Sequence, residues 1–474
     1  MEAVAAINIF KMKKVIIIFA IFFTVVSFSQ TKKEDNKTYK KRVLENTEVD
    51  FVSSYYSQDG DNAAVTGGVG TEELTNIASS LTVSIPLNDD DILTIDATIS
   101  AYSSASSSNL DPFDSSEGSP WVASSGASKS DAWTNFNFKY IHSSDDRNTI
   151  IGANSSFSKE YDYTSFGIGG NFTKLLNEKN TEIGIKVNAY IDSWQPVYPK
   201  ELDSYLDDNQ NLNNRFFEDI DILNQDGNTI DKNSSTVWSP LNTTLIEDES
   251  RNTYSVSLSF SQILSKKTQF SIFAELIQQS GWLANPMQRV YFSDRDNYYV
   301  GNASSIPNYT SKSNTDVFQL ADDIERLPDT RIKIPVGARF NYYINEVVSL
   351  RTYYRYYYDD WGITSHTATI ELPIKISDKF TLYPSYRYYN QTAADYFAPY
   401  EELVSTDEFY TSDYDLSEFN SNQFGFGISY TDIFTKRRIW KLGLKSVDVR
   451  YSNYERNTGL NSSIVSLGFK FVMD

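Results

Sequence analysis

The sequence contains no cysteine and only two histidines among its 474 residues. Without cysteine there can be no disulfide framework, no thiol chemistry, no iron–sulfur ligation and no lipid anchor on a cysteine. His142 and His366 are far apart in the chain, so zinc, copper and haem sites and serine hydrolase chemistry are not favoured. We therefore predict that the protein needs no cofactor and is not an enzyme.

Long apolar runs are also scarce. The longest, residues 15–26, is shorter than the roughly 20 residues that a membrane-spanning helix requires. It follows Lys13 and Lys14 and precedes the small residues Ser27 and Ser29, which is the pattern of an export signal cleaved before Gln30. We interpret residues 1–29 as an upstream extension plus a signal peptide. Residues 30–43 are then a short periplasmic segment, too short for a plug domain.

In place of long apolar runs the chain has alternation. Between residues 183 and 192 apolar side chains occupy every second position, and Lys186, Asn188 and Tyr190 lie between them. A period of two suits a sheet with one face toward lipid and the other toward water. Aromatic residues make up 15% of the chain, which suits the aromatic girdles of a membrane barrel.

Sixteen such segments follow one another, joined alternately by short and mostly much longer connections. They lie near residues 44–57, 75–88, 91–103, 132–143, 147–160, 163–175, 180–194, 250–263, 267–280, 333–344, 347–359, 363–376, 379–392, 419–431, 443–456 and 461–472. We predict an all-β fold for residues 44–474: a transmembrane antiparallel up-and-down β-barrel of about 16 strands with long extracellular loops. A secreted β-sandwich or propeller is the alternative.

The barrel prediction implies a location and general partners. An even strand number places both termini in the periplasm of a Gram-negative bacterium, with the barrel in its outer membrane. Outer-membrane lipids and the barrel-assembly machinery would then be partners. The last strand supports this, since Val465, Leu467, Phe469 and Phe471 alternate with polar or small residues near the C-terminus.

Five connections are too long to be simple hairpin loops: residues 58–74, 104–131, 195–249, 281–332 and 393–418. They carry much of the acid behind the net charge of −20, which argues against nucleic acid as a partner. We expect these loops to form a cap that includes Asp59, Asp61, Trp282, Asp413 and Asp415. The carboxylates offer weak calcium sites, and the alternative is a solvated, mutually repelling surface.

Basic and tyrosine side chains alternate with the apolar set on several strands of the second half. The predicted lumen residues are Arg339, Arg351, Tyr353, Arg355, Tyr357, Arg387, Tyr389 and Arg450. Acidic residues on other strands, such as Asp96 and Glu275, would set a field across the lumen, or these charges could pair and stiffen the barrel. We predict a pore or transport channel for small solutes. The alternative is a non-conducting scaffold that docks periplasmic redox or secreted partner proteins.

Several strings near the predicted loops are similar to those of a known family. They are residues 55–68 (YYSQDGDNAAVTGG), 101–107 (AYSSASS), 281–286 (GWLANP), 289–292 (RVYF), 325–331 (ERLPDTR), 395–400 (DYFAPY) and 411–419 (TSDYDLSEF). The chain resembles an uncharacterised family of bacterial outer-membrane β-barrels, a domain of unknown function. Because that family has no assigned activity, the resemblance gives no residue a catalytic or ligand role. Its members are often encoded beside a periplasmic flavin transferase, a thioredoxin-like protein and a small lipoprotein, which implies a role near extracytoplasmic redox proteins.

Overall fold

The computed structural model describes residues 42–104, 130–241, 249–310 and 316–473. The predicted signal peptide, most of the segment 30–43 and most of the loop 104–131 lie outside the described residues. Within them, no helix has the length and apolar character needed to span a membrane.

The described chain from Val43 onward is dominated by one closed antiparallel sheet of sixteen strands. The strands are Thr47–Asp59, Leu74–Pro86, Asp91–Ser104, Ser130–Ser143, Thr149–Lys159, Tyr163–Leu176, Thr181–Trp194, Glu249–Ser265, Thr268–Gly281, Thr330–Tyr343, Ser349–Asp359, Thr364–Glu371 with Ile374–Lys375, Phe380–Leu382 with Ser385–Gln391, Phe419–Thr431, Leu442–Arg456 and Asn461–Met473. The first strand pairs with the last from Thr47 to Asp59, so the sheet has no free edge. This confirms the predicted all-β, up-and-down barrel.

The strand ends agree with the prediction to within three residues, except in two neighbouring strands. Each of those was predicted as continuous and is interrupted once, beside Pro373 and beside Pro384. Proline has no backbone N–H to donate to a neighbouring strand, so the ladder is broken there. The prolyl carbonyl oxygens still accept, from Ser349 N at 3.1 Å and Leu372 N at 3.0 Å.

The two faces of the barrel differ as the alternation requires. The apolar side chains Ile168, Ile183 and Leu258 are 57, 47 and 55% exposed on its outer surface. Across each ladder they face other apolar residues, for example Ile183 opposite Phe260. The intervening polar residues therefore point to the interior, and the outside presents an apolar belt suited to lipid.

The long connections fold into a cap of their own. It contains the helix Lys200–Asp207, a three-stranded sheet of Ile222–Asn224, Tyr298–Gly301 and Val317–Gln319, and a two-stranded sheet of Arg289–Val290 and Asp323–Ile324. Its largest apolar cluster is built from these buried residues: Leu202, Tyr205, Leu212, Phe217, Ile222, Trp238, Tyr291, Tyr298, Leu320, Ala321 and Ile324. Such a core excludes water, so the cap is a packed structure rather than a set of solvated loops.

Candidate functional site

The cap bridges the mouth of the barrel. The loop after the first strand and the loop after the ninth strand leave the rim eight strands apart, on opposite sides of the sixteen-strand barrel. They nevertheless meet, because Arg289 Nη1 donates a 3.2 Å hydrogen bond to the carbonyl oxygen of Val65. Gly67, at φ +75°, lies against Tyr291 so closely that an added Cβ would be 2.5 Å from the ring.

A fully buried ion pair joins a third loop, the one that follows the strand Thr181–Trp194, to Arg289. Arg289 donates to both carboxylate oxygens of Glu201, at 2.6 and 3.0 Å, and both side chains are 0% exposed. The Arg289 guanidinium also lies 4.9 Å from the ring centre of Phe318. A bidentate pair of this kind fixes the orientation of both partners.

The fourth long loop joins through its backbone. Arg326 and Tyr410 exchange N–H···O bonds of 3.1 and 2.7 Å, as two strands of a sheet would. Ser293 N donates to the carbonyl oxygen of Leu403 at 2.9 Å. Four loops from around the rim therefore form one unit across the opening.

Beneath the cap lies a cavity of about 430 Å³ between the loops and the upper barrel wall. The wall and its tight turns contribute Tyr102, Glu160, Asp162, Tyr163, Trp194, Arg251, Gln279, Arg331 and Trp361, and the cap contributes Leu283, Ala284, Asn285, Met287, Gln288, Glu325, Leu327, Asp413 and Leu416. Its volume is within the usual range of small-molecule sites.

Two cap carboxylates line this cavity, Glu325 buried and Asp413 half-buried. Glu325 Oε2 accepts from Asn285 N at 2.6 Å, and Oε1 accepts from Thr411 Oγ1 at 2.5 Å. Burial, reinforced by the nearby charge of Asp413, raises the pKa of Glu325 to about 8. Asp413 accepts from Gln288 Nε2 at 3.2 Å, and burial together with Asp415 raises its pKa to about 6.

The basic side chains predicted for the lumen lie lower in the barrel. Arg351 donates to Glu371 Oε1 at 2.9 Å and Arg450 donates to Glu371 Oε2 at 3.2 Å. Two strands, Ser385–Gln391 and Phe419–Thr431, separate Glu371 from Arg450 in the sheet. Arg450 therefore reaches Glu371 across the concave inner face of the barrel. Gly427 has no side chain there, which leaves room for Arg450.

The other predicted wall residues follow the same strands. Arg339 stands opposite Tyr353, with its guanidinium 5.7 Å from that ring and 5.8 Å from the ring of Phe273. Arg387 lies opposite Thr369. The remaining three lie on the same faces: Arg355, Tyr357 and Tyr389. Of the eight residues, Arg351 and Arg450 are brought together on one carboxylate.

A second cavity lies on the inner wall away from the arginine-rich strands. Inward residues of the strands between 130 and 194 form this cavity, lined mainly by amides and hydroxyls, with Lys139 and Lys186 among them. Asp96 accepts from Ser80 and Thr82, at 3.0 and 2.6 Å. Asp96 therefore has two hydroxyl partners on the neighbouring strand Leu74–Pro86.

The five residues predicted for the cap have different surroundings. Asp413 lies in the cavity, and Asp415 pairs with Arg456 at 2.8 Å. Trp282 packs on the main apolar cluster. Asp59 bonds within its own loop, and Asp61 lies beside Gly459. Among the described residues no three histidine, aspartate or glutamate side chains are grouped to hold a metal ion.

Sequence reasoning did not single out Glu201, Gln288, Arg289 or Glu325. Arg289 and Glu325 do lie in the family-like strings RVYF and ERLPDTR, and Asp413 lies in TSDYDLSEF. Those strings meet in the cap and around the cavity. Their similarity to family members was the available signal.

These observations define a sixteen-strand barrel of the outer-membrane type, capped by its own loops. The family model described as "Protein of unknown function (DUF3570)" matches residues 15–464, so the chain belongs to this family. No curated protein matches the sequence.

Three solved structures have a similar outline at low sequence identity. A bacterial polysaccharide outer membrane secretin has 8% identity and a TM-score of 0.40 over 90% of this chain and 99% of its own. A Pseudomonas aeruginosa FadL homologue has 8% identity and a TM-score of 0.38, covering 90% of each chain. The TodX deltaS2S3 mutant monoaromatic hydrocarbon channel has 9% identity and a TM-score of 0.37, and the match covers 91% of each chain. At such values no ligand or activity carries over.

Proposed function

We propose that the protein is an outer-membrane transport barrel for small solutes whose extracellular loops close the mouth until a solute passes. The observation that carries this proposal is the contact between Arg289 and Val65, which joins loops from opposite sides of the rim. A barrel of sixteen strands is wide enough for an aqueous channel unless loops fill it. A packed cap therefore favours a gated, solute-specific channel over an open pore.

The inner wall suggests a charge preference. Five arginines lie on the inner face of the barrel strands near Glu371: Arg339, Arg351, Arg355, Arg387 and Arg450. Arginines therefore outnumber acidic residues in this cluster. We propose that this wall, with its tyrosines, attracts the anionic part of a solute. Planar-bilayer recordings with salt gradients test this. Changing Arg351 and Arg355 to alanine should lower anion selectivity, and unchanged reversal potentials would contradict the anion preference.

A docking scaffold is the second candidate, and one surface favours it. At the short-turn end, Ile433, Phe434, Ile439 and Trp440 are 77, 78, 68 and 69% exposed. Four basic residues share the segment: Lys436, Arg437, Arg438 and Lys441. Exposed aromatics beside basic charge suit an acidic partner such as a periplasmic redox protein or lipoprotein.

Co-purification in gentle detergent after crosslinking tests the scaffold. The double variant Phe434→Ser, Trp440→Ser should lose the partner. Leu264→Ser, at an exposed position near the end of the strand Glu249–Ser265 beside another short turn, should retain it. Recovery of the barrel alone from native membranes would contradict docking. Neither candidate includes a catalytic step.

A further inference from the structure

The cavity beneath the cap has an excess of hydrogen-bond acceptors. Four carboxylates line it, Glu160, Asp162, Glu325 and Asp413, and none has an ion-pair partner among the described residues. Of the two lining guanidiniums, Arg331 is already paired with Asp359 at an Nε–Oδ2 distance of 2.9 Å. Arg251 is then the one lining guanidinium without an ion pair among the described residues.

A buried acceptor in the cavity also has no donor. Gln288 is 8% exposed, and its Nε2 donates to Asp413 while its Oε1 has no hydrogen-bond partner. Leaving a buried polar atom unpaired is unfavourable, so buried polar atoms usually have a hydrogen-bond partner. The group that would satisfy Gln288 Oε1 is a donor.

The arrangement distinguishes between kinds of cation. A metal ion needs several oxygen ligands converging within about 2.0–2.6 Å, and the described carboxylates form no group of that kind. They are spread over the barrel turn at Glu160 and Asp162 and over two cap loops at Glu325 and Asp413. Spread acceptors match an extended molecule with several N–H donors, and aromatic residues such as Tyr163 add apolar surface for its carbon atoms.

We propose that this cavity binds the cationic, polyamine-like part of a small organic solute, through several N–H donors, at the mouth of the channel. This inference rests on the proposed transport function and names the chemistry of its first binding step. Asp413 holds the cationic groups from the cap, and Glu160 and Asp162 hold them from the wall. The arginine-rich wall lies deeper and is a separate surface.

Calorimetric titration of the full-length protein in detergent with spermidine tests the proposal. We expect saturable binding, with the dissociation constant raised at least about tenfold in Asp413→Asn and in Glu160→Gln, the typical effect of losing one charged hydrogen bond of about 1.5–3 kcal/mol. Glu160 lies in a barrel turn outside the cap, so its variant leaves the cap packing intact. Glu178→Gln, in an exposed turn at the other end of the barrel, is the matched control and should bind as the wild type does.

Ribitol and succinate complete the test as neutral and anionic probes. Equal or tighter binding of either, absence of spermidine binding, or binding unaffected by both cavity variants would overturn the proposal. Its failure is distinguishable from failure of the transport function. A barrel that conducts once the cap is opened but binds no spermidine keeps the channel and loses this site. A barrel that binds spermidine and never conducts keeps the site and loses the channel.

Discussion

Arg289 donates a hydrogen bond to the carbonyl oxygen of Val65 although the two residues belong to loops that start on opposite sides of the barrel rim. The same guanidinium is paired with Glu201 from a third loop. One side chain therefore joins three loops.

Replacing Glu201 with alanine should loosen the cap. The change leaves Arg289 buried without its counter-ion, and removing one partner of a buried pair typically costs about 3–5 kcal/mol. We expect cleavage of the 195–248 loop in limited proteolysis to accelerate at least about 100-fold, while thermal unfolding of the barrel changes little. Asp203→Ala is the control, since Asp203 lies on the same helix but its side chain is 46% exposed and 3.7 Å from Lys200. Equal proteolysis rates in the two variants would argue against the role of the ion pair.

Glu371 should restrain the two arginines that it contacts. Glu371→Gln removes the negative charge, so we expect the anion-to-cation permeability ratio to rise roughly twofold or more. Glu371→Asp keeps the charge but is one methylene too short to reach Arg351 and Arg450 at 2.9 and 3.2 Å together. Its ratio should fall between those of the wild type and the glutamine variant. A ratio in Glu371→Gln at or below the wild-type value would refute this reading of the wall.

The cap should be more stable in mild acid than in mild base. Burial raises the pKa of Glu325 to about 8 and that of Asp322 to about 6, above their ordinary values of 4.5 and 3.8. Between those ordinary and raised values the folded cap holds more protons than the unfolded chain, so its stability falls as pH rises. Asp413 adds to this trend, and Arg251 opposes it at Glu325.

Amide hydrogen exchange in the cap, corrected for the intrinsic rate, measures this effect. We expect higher protection at pH 5 than at pH 8. In Glu325→Gln the difference should shrink, because the amide does not titrate. Protection that rises with pH would mean that these carboxylates are ionised and stabilised in the folded cap.

The barrel was predictable from the sequence because its rule is local. Every second residue faces lipid, and a segment such as residues 183–192 shows this without any knowledge of its neighbours. Proline is known to break a strand, but the alternation of apolar residues continues across Pro373 and Pro384, so the alternation alone does not show these two breaks. The strand pairing and the closure of the barrel then follow, because each strand pairs with the next one along the chain and the last pairs with the first.

The cap was predictable only as a set of long loops. Glu201, Arg289 and Val65 are separated by up to 224 positions, and no period relates them. Asp413 was predicted in the cap because it is an acidic loop residue. Glu325 lies in the string ERLPDTR, which was noted only for its similarity to the family. Irregular loops obtain their structure from tertiary packing, which a sequence pattern does not encode.

Single-channel conductance in planar bilayers tests the central claim most directly, comparing the wild type with a variant whose cap segment 195–248 is replaced by a short Gly-Ser linker. We predict that the wild type is mostly closed and that the variant gives stable stepwise currents of at least about tenfold higher mean conductance, as expected for an unplugged barrel of this size. A folded variant that stays silent, or a wild type that is as open as the variant, would contradict a channel closed by its own loops.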